Sequence, residues 1–568
     1  MQMDLTKRLP AELLIMIFQA WKHSCGAKEH GLVAEWVRAT WVCKAWRGAA
    51  LETAALWSSV LVSRRLADDP ALEMQLDRAR GVALDLLVFC LPISNVEIEK
   101  ALGFVLSKTK SIEKLKVIYG GQQNAVVEAF VKVVGAEVVS LSLLPNTSRI
   151  CEWRFTPDAF PRLRHLVLDS IIPTPGAPLL TLTRLEVAYA SYAYDDHPVK
   201  LVSGGQQWCT YVHKFLAVCP NLETLRTIKC FHYPSSYSEH DQPIVTLPKL
   251  RYLSVEEFAS GLSKAFQTLR LPSSSSFHIT ADCDGDTDHD YITLTIPRNV
   301  SESLPPIRRT RCLSLMVGQR WLSHLSLRGG PGDTFKDESD WSITIPDTQC
   351  SFQHSRTWAS RFPDWESAKL YHLGIPNLVV PSRLVQLQLH IALGLPVARD
   401  WARFFTTMPR LRTLGIGGGA LITHALQAFE ADPSLCPDLE DLELCATAGR
   451  AVDEGVLAGF IPWVIGAWLR QRTRVGTGLS SLTVRTPAGG SGARAGLGGG
   501  QGHDADLVGF ASKLRQDLAL LKGSVGEVLV EAADCPACGV EYELPVEGVE
   551  GSDEDSDEES EDGSAYYY

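Results

Sequence analysis

Residues 9–21, LPAELLIMIFQAW, carry apolar side chains almost all the way round a helix. Pro10 suits the first helical position, where a missing N–H costs nothing, and Glu12 sits in the first turn near the positive end of the dipole. At about 100° per residue, Leu13, Leu14, Ile17, Phe18 and Trp21 form one broad stripe, while Ile15 and Met16 fall outside it. Two apolar sides require two partners. A second helical segment follows in LVAEWVRATWVCKAW, where Trp36, Val37, Thr40 and Trp41 have helical spacing, and RGAALETAALWSSVLV predicts another short helix and an apolar run. Together they predict a helical module over residues 1–62, too small to bury much on its own.

From about residue 110 a phrase recurs: leucine, two residues, leucine, one residue, aliphatic. It is clearest in RLRHLVLDS (Leu163, Leu166, Leu168), LTRLEVAYA (Leu182, Leu185, Val187) and KLRYLSVEE (Leu250, Leu253, Val255). It returns in RLVQLQLH (Leu384, Leu387, Leu389), RLRTLGIGG (Leu411, Leu414, Ile416), DLEDLELCA (Leu439, Leu442, Leu444) and LSSLTVRT (Leu479, Leu482, Val484). SIEKLKVIY, VVSLSLLP and NLETLRTIK are weaker copies. Middle leucines fall 27 residues apart at Leu387 and Leu414, and 28 apart at Leu414 and Leu442 and at Leu225 and Leu253, which are leucine-rich-repeat periods. Such a strand cannot bury its apolar alternates alone, so copies stack in parallel and each returns by a helix or an irregular segment. Prolines in AVCPNLETL, SLCPDLEDL, FPRLRHL and MPRLRTL stop the preceding helix at the strand entrance. VARDWARFFTTM predicts one of the returning helices, with Trp401, Phe404 and Phe405 on one side.

The fold class predicted is α/β: the helical module, then an irregular leucine-rich-repeat solenoid with parallel strands over 63–487, then a disordered acidic tail. Scattered buried strands of another α/β fold are the competing reading. The repeat fades over about 260–380, where FHITADCDGDTDHDYITLTI and WSITIP fit either degenerate repeats or an inserted sheet. Residues 488–504 form a Gly-rich linker, 505–545 a final structured piece with a helix in LVGFASKLRQDLALL and a strand in GEVLVEA, and 546–568 the tail.

Composition narrows the function. With 45% apolar and 21% charged residues, most of the chain can fold. The net charge of −12 argues against a nucleic-acid footprint, and eight of the acidic groups lie in SDEDSDEESED, residues 552–562. Fourteen scattered cysteines read as reduced thiols of a cytoplasmic or nuclear protein. MQMDLTKRLP has no secretory h-region, and the longest apolar run, GFIPWVIGAWL, is too short to cross a bilayer and contains Pro462, so no membrane partner is expected.

Candidate chemistry is sparse. Asp282, Asp284, Asp286, Asp288 and Asp290 alternate like calcium ligands, but Thr287 and Thr293 stand where an EF-hand loop needs Gly and Glu, so an exposed hairpin loop is preferred. Cys535 and Cys538 give half a zinc site with no second pair, and read as plain thiols. Ser552 and Ser556 precede acidic side chains by three residues, which suits acidophilic kinases; a merely solvating tail is the simpler reading. There is no GxxxxGK[ST], HExxH, GxSxG or strand-bound GxGxxG, so neither catalytic residue, cofactor nor metal ligand is assigned.

Residues 9–61 resemble an F-box. The resemblance is carried by Leu9, Pro10, Glu12, Leu13, Leu14, Ile17 and Phe18, then by Val42, Cys43, Lys44, Trp46 and Arg47, then by Leu56, Trp57 and Ser58. Ile17 and Val42 are 25 positions apart, a longer connection than the compact pattern, of a type common in fungal F-box-like proteins followed by irregular leucine-rich repeats. The resemblance implies a non-catalytic substrate-recognition subunit of a Skp/cullin/F-box ubiquitin ligase. Its partners would be a Skp-type adaptor, cullin through that adaptor, and an unidentified protein substrate. It implies that Leu9, Pro10, Leu13, Leu14, Ile17 and Phe18 face the adaptor, with Val42, Cys43, Trp46 and Trp57 as supporting surface. The alternatives are a leucine-rich-repeat scaffold whose N-terminal helices only cap the array, and an enzyme with a site in 260–380.

Overall fold

Alternation of apolar and polar residues within each leucine phrase is what a strand with one covered face requires. The computed structural model describes residues 9–26, 36–63, 70–79, 81–91, 93–146, 151–189, 205–231, 244–282, 304–317, 324–332, 341–346, 379–391, 398–417, 419–445, 454–475, 478–486, 516 and 525–532. Among them the chain is a mixed α/β protein with one large, mostly parallel sheet and eleven helices.

In chain order the strands begin with β1 (Ser59–Val62), β2 (Leu84–Phe89), β3 (Ile112–Gly120), β4 (Ser140–Asn146), β5 (Cys151–Phe155), β6 (His165–Asp169) and β7 (Ile171–Pro175). Next come β8 (Arg184–Ala188), β9 (Thr224–Ile228), β10 (Val245–Thr246), β11 (Tyr252–Phe258), β12 (Leu269–Arg270), β13 (Ser276–Asp282) and β14 (Cys312–Val317). The series ends with β15 (His324–Gly330), β16 (Trp341–Pro346), β17 (Gln386–Ile391), β18 (Thr413–Gly417), β19 (Asp441–Cys445), β20 (Leu479–Thr486) and β21 (Val525–Ala532).

Seventeen of them make the large sheet. β1, β2, β3, β4, β6, β8, β9, β11 and β13 lie side by side, each parallel to the last. The order then doubles back: β13 pairs with β16, β16 with β15 and β15 with β14, β15 running antiparallel to both neighbours. The parallel series resumes from β14 through β17, β18, β19, β20 and β21. The short strands pair separately, β5 with β7 and β10 with β12.

The register explains the recurring phrase. Its middle leucine aligns from strand to strand, as in Leu115, Leu141, Leu166, Leu185, Leu225 and Leu253, and again in Leu387, Leu414, Leu442 and Leu482. The closing aliphatic aligns two residues on, through Val117, Leu143, Leu168 and Val187, then Leu389, Ile416, Leu444 and Val484. All of these are buried, while the residues between them are mostly half-exposed. One face of the sheet is therefore covered. In the doubled-back section the middle position holds Gly329, and the Trp341 ring fills the space that a Cβ there would need. Trp341 is fully buried, stacks on Phe277 at 5.7 Å and donates its Nε1–H to Thr310 Oγ1 at 3.0 Å.

The helices are α1 (Ala11–Gly26), α2 (Lys44–Glu52), α3 (Pro70–Ala79), α4 (Asn95–Lys108), α5 (Asn124–Val134) and α6 (Gly205–Ala217), followed by α7 (Ala259–Thr268), α8 (Pro305–Arg308), α9 (Ala398–Thr406), α10 (Gly419–Ala431) and α11 (Glu454–Val475). Ser94 and Glu97 close a capping box on α4. α9, α10 and α11 pack in sequence, with Phe405 stacked on Phe429 at 4.6 Å and Phe429 on Trp468 at 4.9 Å. Buried Arg472 ties α11 to the turn before β19, donating to the carbonyls of Leu435, Cys436, Pro437 and Leu439. A single hydrophobic core runs from Leu14 to Val525.

Several expectations change. The helix expected through LVAEWVRATWVCKAW is broken: Trp36–Trp41 is a 3-10 turn, Cys43 is extended, and only then does α2 begin. Residues 59–62 are the first strand of the sheet, so the N-terminal module runs directly into it. Strands within 260–380 join the same sheet, and GEVLVEA pairs in register with β20. The Gly-rich run 488–504, the acidic loop beyond Asp282, Cys535 and Cys538, and the tail 546–568 lie outside the described residues. Among the described residues no helix is long and apolar enough to cross a membrane.

Candidate functional site

The N-terminal helix divides its apolar residues between two directions. Leu14 and Phe18, 2% and 0% exposed, enter the core together with half-buried Trp21. Their spacing of four and three residues puts them on one side of α1. Phe18 meets the Trp46 ring edge-on at 5.1 Å. One turn further, Lys22 donates its ammonium to the Ala55 carbonyl at 3.0 Å, and burial holds its pKa below the usual lysine value.

The other direction is open. Leu9, Leu13, Met16 and Ile17 are 37%, 45%, 63% and 43% exposed. At about 100° per residue Leu13, Met16 and Ile17 span roughly 100° of the helix, centred about 120° from the inward set, and Leu9 lies just ahead of the first turn. The 3-10 turn and the residue after it add Trp41 and Val42, 71% and 55% exposed. Monomeric surfaces scatter such residues singly, so this concentration on one small module needs an explanation.

The module is held rigidly from behind. Arg47 donates its Nε–H to the Thr40 carbonyl at 2.9 Å, joining the 3-10 turn to α2. Trp57 is buried, donates its Nε1–H to the Ala50 carbonyl at 2.8 Å and has the Arg78 guanidinium over its ring at 4.4 Å. Leu56 is fully buried beside it.

This geometry divides the residues that the F-box resemblance assigned to the adaptor-facing helix and its supporting surface. Leu9, Pro10, Leu13, Ile17 and Val42 are exposed, and Cys43 and Trp46 are partly so. Leu14, Phe18 and Trp57 are buried in the hydrophobic core. Met16 and Trp41 join the open surface. Met16 is legible as lying off the main stripe, whereas the spacing of Trp41 with Trp36 and Val37 predicts a helix and does not say which face is open.

The open surface is apolar. Among the described residues no group of three or more His, Cys, Asp or Glu could hold a metal ion. The thiols of Cys90, Cys219 and Cys436 are buried and pushed up to about 12 by that burial, so they stay protonated and poor nucleophiles. His213 is buried against the Cys209 carbonyl and the Thr268 hydroxyl, which spends its ring on packing. No protein-family model matches the chain, and no curated protein matches it.

Proposed function

We propose that this protein is the substrate-recognition subunit of a Skp/cullin/F-box ubiquitin ligase. The observation that carries the proposal is the outward apolar set of Leu13, Met16 and Ile17 on α1 with Leu9 just before it, at and beside the F-box motif positions. The same helix is fixed to the core by Leu14 and Phe18. A helix with one side anchored and the other side apolar and open is built to join its own domain to a second protein. Burying one such aliphatic side chain contributes about 1.5–3 kcal/mol, so a handful suffices for stable association after the cost of ordering.

In this proposal the parallel array is an irregular leucine-rich-repeat solenoid, and it holds the target. The in-register leucines and the 27- to 28-residue spacing support that assignment. The subunit performs no bond chemistry; it raises the local concentration of a target lysine near the ubiquitin-charged enzyme. Its place of work is the cytoplasm or nucleus.

A second reading, a repeat scaffold whose N-terminal helices only cap the array, is favoured by the burial of Leu14, Phe18 and Trp57 in the common core. Co-purification separates the two. The receptor proposal expects the full chain to retain a Skp-type adaptor and cullin; a well-folded chain that retains neither would leave the scaffold reading standing.

A further inference from the structure

Where the sheet doubles back, one row of polar side chains crosses five strands on the face opposite the buried leucines. Register places His278 of β13 beside Ser342 of β16, Ser342 beside Arg328 of β15, Arg328 beside Ser314 of β14, and Ser314 beside Gln388 of β17. The residues just before them, Trp341, Leu327 and Leu313 among them, are buried on the other side, as alternation along a strand requires. The row alternates long and short side chains. Ser342 and Ser314, 9% and 7% exposed, sit low on either side of the Arg328 stem. Directly opposed Cβ atoms lie about 4.5–5.5 Å apart, so both hydroxyls are within reach of a ligand held by the guanidinium.

Arg328 is exposed, and among the described residues its guanidinium has neither an ion pair nor a hydrogen bond. Three other cations of the same face each have a carboxylate: Lys114 has Asp85 at 3.8 Å, Arg226 has Glu186 at 3.3 Å and Arg485 has Glu443 at 3.1 Å. The nearest described carboxylates to Arg328 on this face, Glu256 and Glu443, stand three and four strands away, at least about 14 Å and 19 Å. The next arginine, Arg311, is three residues ahead of Ser314, about 10 Å along the strand. The rest of the row is uncharged. Burial, with Arg328 adding to it, holds His278 below the ordinary histidine value, so its ring is neutral. His278 Nδ1 and Ser342 Oγ are 2.6 Å apart; with the proton on Nδ1 the ring donates to the hydroxyl, whose own proton is then left for a ligand. One cation among neutral donors matches a carboxylate, which a guanidinium grips with two parallel hydrogen bonds, better than a doubly charged phosphate.

We propose that Arg328, flanked by Ser314 and Ser342, is a binding site for a side-chain carboxylate of an acidic protein segment that lies along this row. The guanidinium takes both carboxylate oxygens, and the two hydroxyls donate to them from either side. A passing chain fits better than a chain end, because the row is open at both ends: Ser254 stands beyond His278, and Gly415 beyond Gln388. The inference is independent of the adaptor proposal, because neither α1 nor the 3-10 turn takes part.

The test is fluorescence anisotropy at low salt, with the full chain and three labelled hexapeptides. One alternates Glu and Gln with both ends capped, the second has phosphoserine in place of each Glu, and the third is all Gln with a free C-terminal carboxylate. The expected result is saturable binding of the Glu–Gln peptide, weakened about tenfold or more by Arg328→Gln and partly retained by Arg328→Lys, which keeps the charge and loses the fork. Ser314→Ala with Ser342→Ala should weaken it less, and Arg226→Gln, which removes a cation that already has a carboxylate, should leave it unchanged. Arg328 is exposed, so the Tm is expected to stay at the wild-type value; if Arg328→Gln lowers it, Arg328→Lys takes its place, with weakened binding expected. No saturable binding by the folded wild type, or binding indifferent to Arg328, would overturn the proposal. So would an equal loss from Arg226→Gln, which would mark general charge attraction, or Arg328-dependent preference for the phosphoserine or free-end peptide, which would mark a site for a different anion.

Discussion

The large sheet and the N-terminal module treat their apolar residues in opposite ways. Across the sheet, each leucine at the middle of the phrase is buried and flanked by its equivalents on neighbouring strands. In the module, one helix sends Leu14 and Phe18 inward and leaves Leu13, Met16 and Ile17 outside. A sheet that is continuous from β1 to β21 satisfies itself along its length. The module buries one side of its first helix and leaves the other side apolar and exposed.

The sharpest way to break this comparison is to truncate neighbouring residues of α1. Phe18→Ala empties a fully buried site against Trp46 and is expected to cost about 3–5 kcal/mol in urea unfolding. Ile17→Ala, one residue away, is expected to stay within about 0.5 kcal/mol. Similar losses from both would place Ile17 in the core and remove the outward face.

A smaller effect is expected where the sheet departs from its own rule. Gly329→Ala drives a methyl into the Trp341 ring and should cost about 1–3 kcal/mol, read as a lowered unfolding midpoint. A neutral outcome would mean that Trp341 can leave its place on Phe277 without loss.

The smallest effect is a pH dependence on the sheet side. Burial holds His213 below the ordinary histidine value of 6.5, and burial acts in the same direction on His165 and His278. The folded state therefore binds fewer protons than the unfolded one. The stability is complete above about 6.5 and declines as pH falls below it toward the folded values. Urea midpoints between pH 7.5 and 5 should fall accordingly, with a shallower slope in His213→Gln; an unchanged slope would show that the ring is protonated in both states or neutral in both.

Much of the fold was legible because the repeated phrase encodes both strand and register. A leucine fixed at the same place in each copy can pair only with its equivalent, which is why Leu387, Leu414, Leu442 and Leu482 align. The doubling back at β13–β16 was not legible. Its strands have the same alternation as the others, and alternation carries no direction. The buried Arg472 was equally silent, since its four acceptors are backbone carbonyls that leave no trace in side-chain pattern. At the candidate site, helical spacing gave the angle of each residue on α1 but not which angle met the core. The single stripe read from Leu13, Leu14, Ile17, Phe18 and Trp21 is in fact two, split by the seam with Trp46.

The most direct test of the outward face as a docking surface is calorimetric titration of the full chain with a Skp-type adaptor, beside Leu13→Asp with Ile17→Asp, with thermal melts on the same samples. The account predicts saturable binding with a Kd of about a micromolar or tighter, abolished in the double variant at an unchanged Tm. Binding that survives the double variant, no binding by a well-folded wild type, or a Tm that collapses with the two aspartates would contradict it.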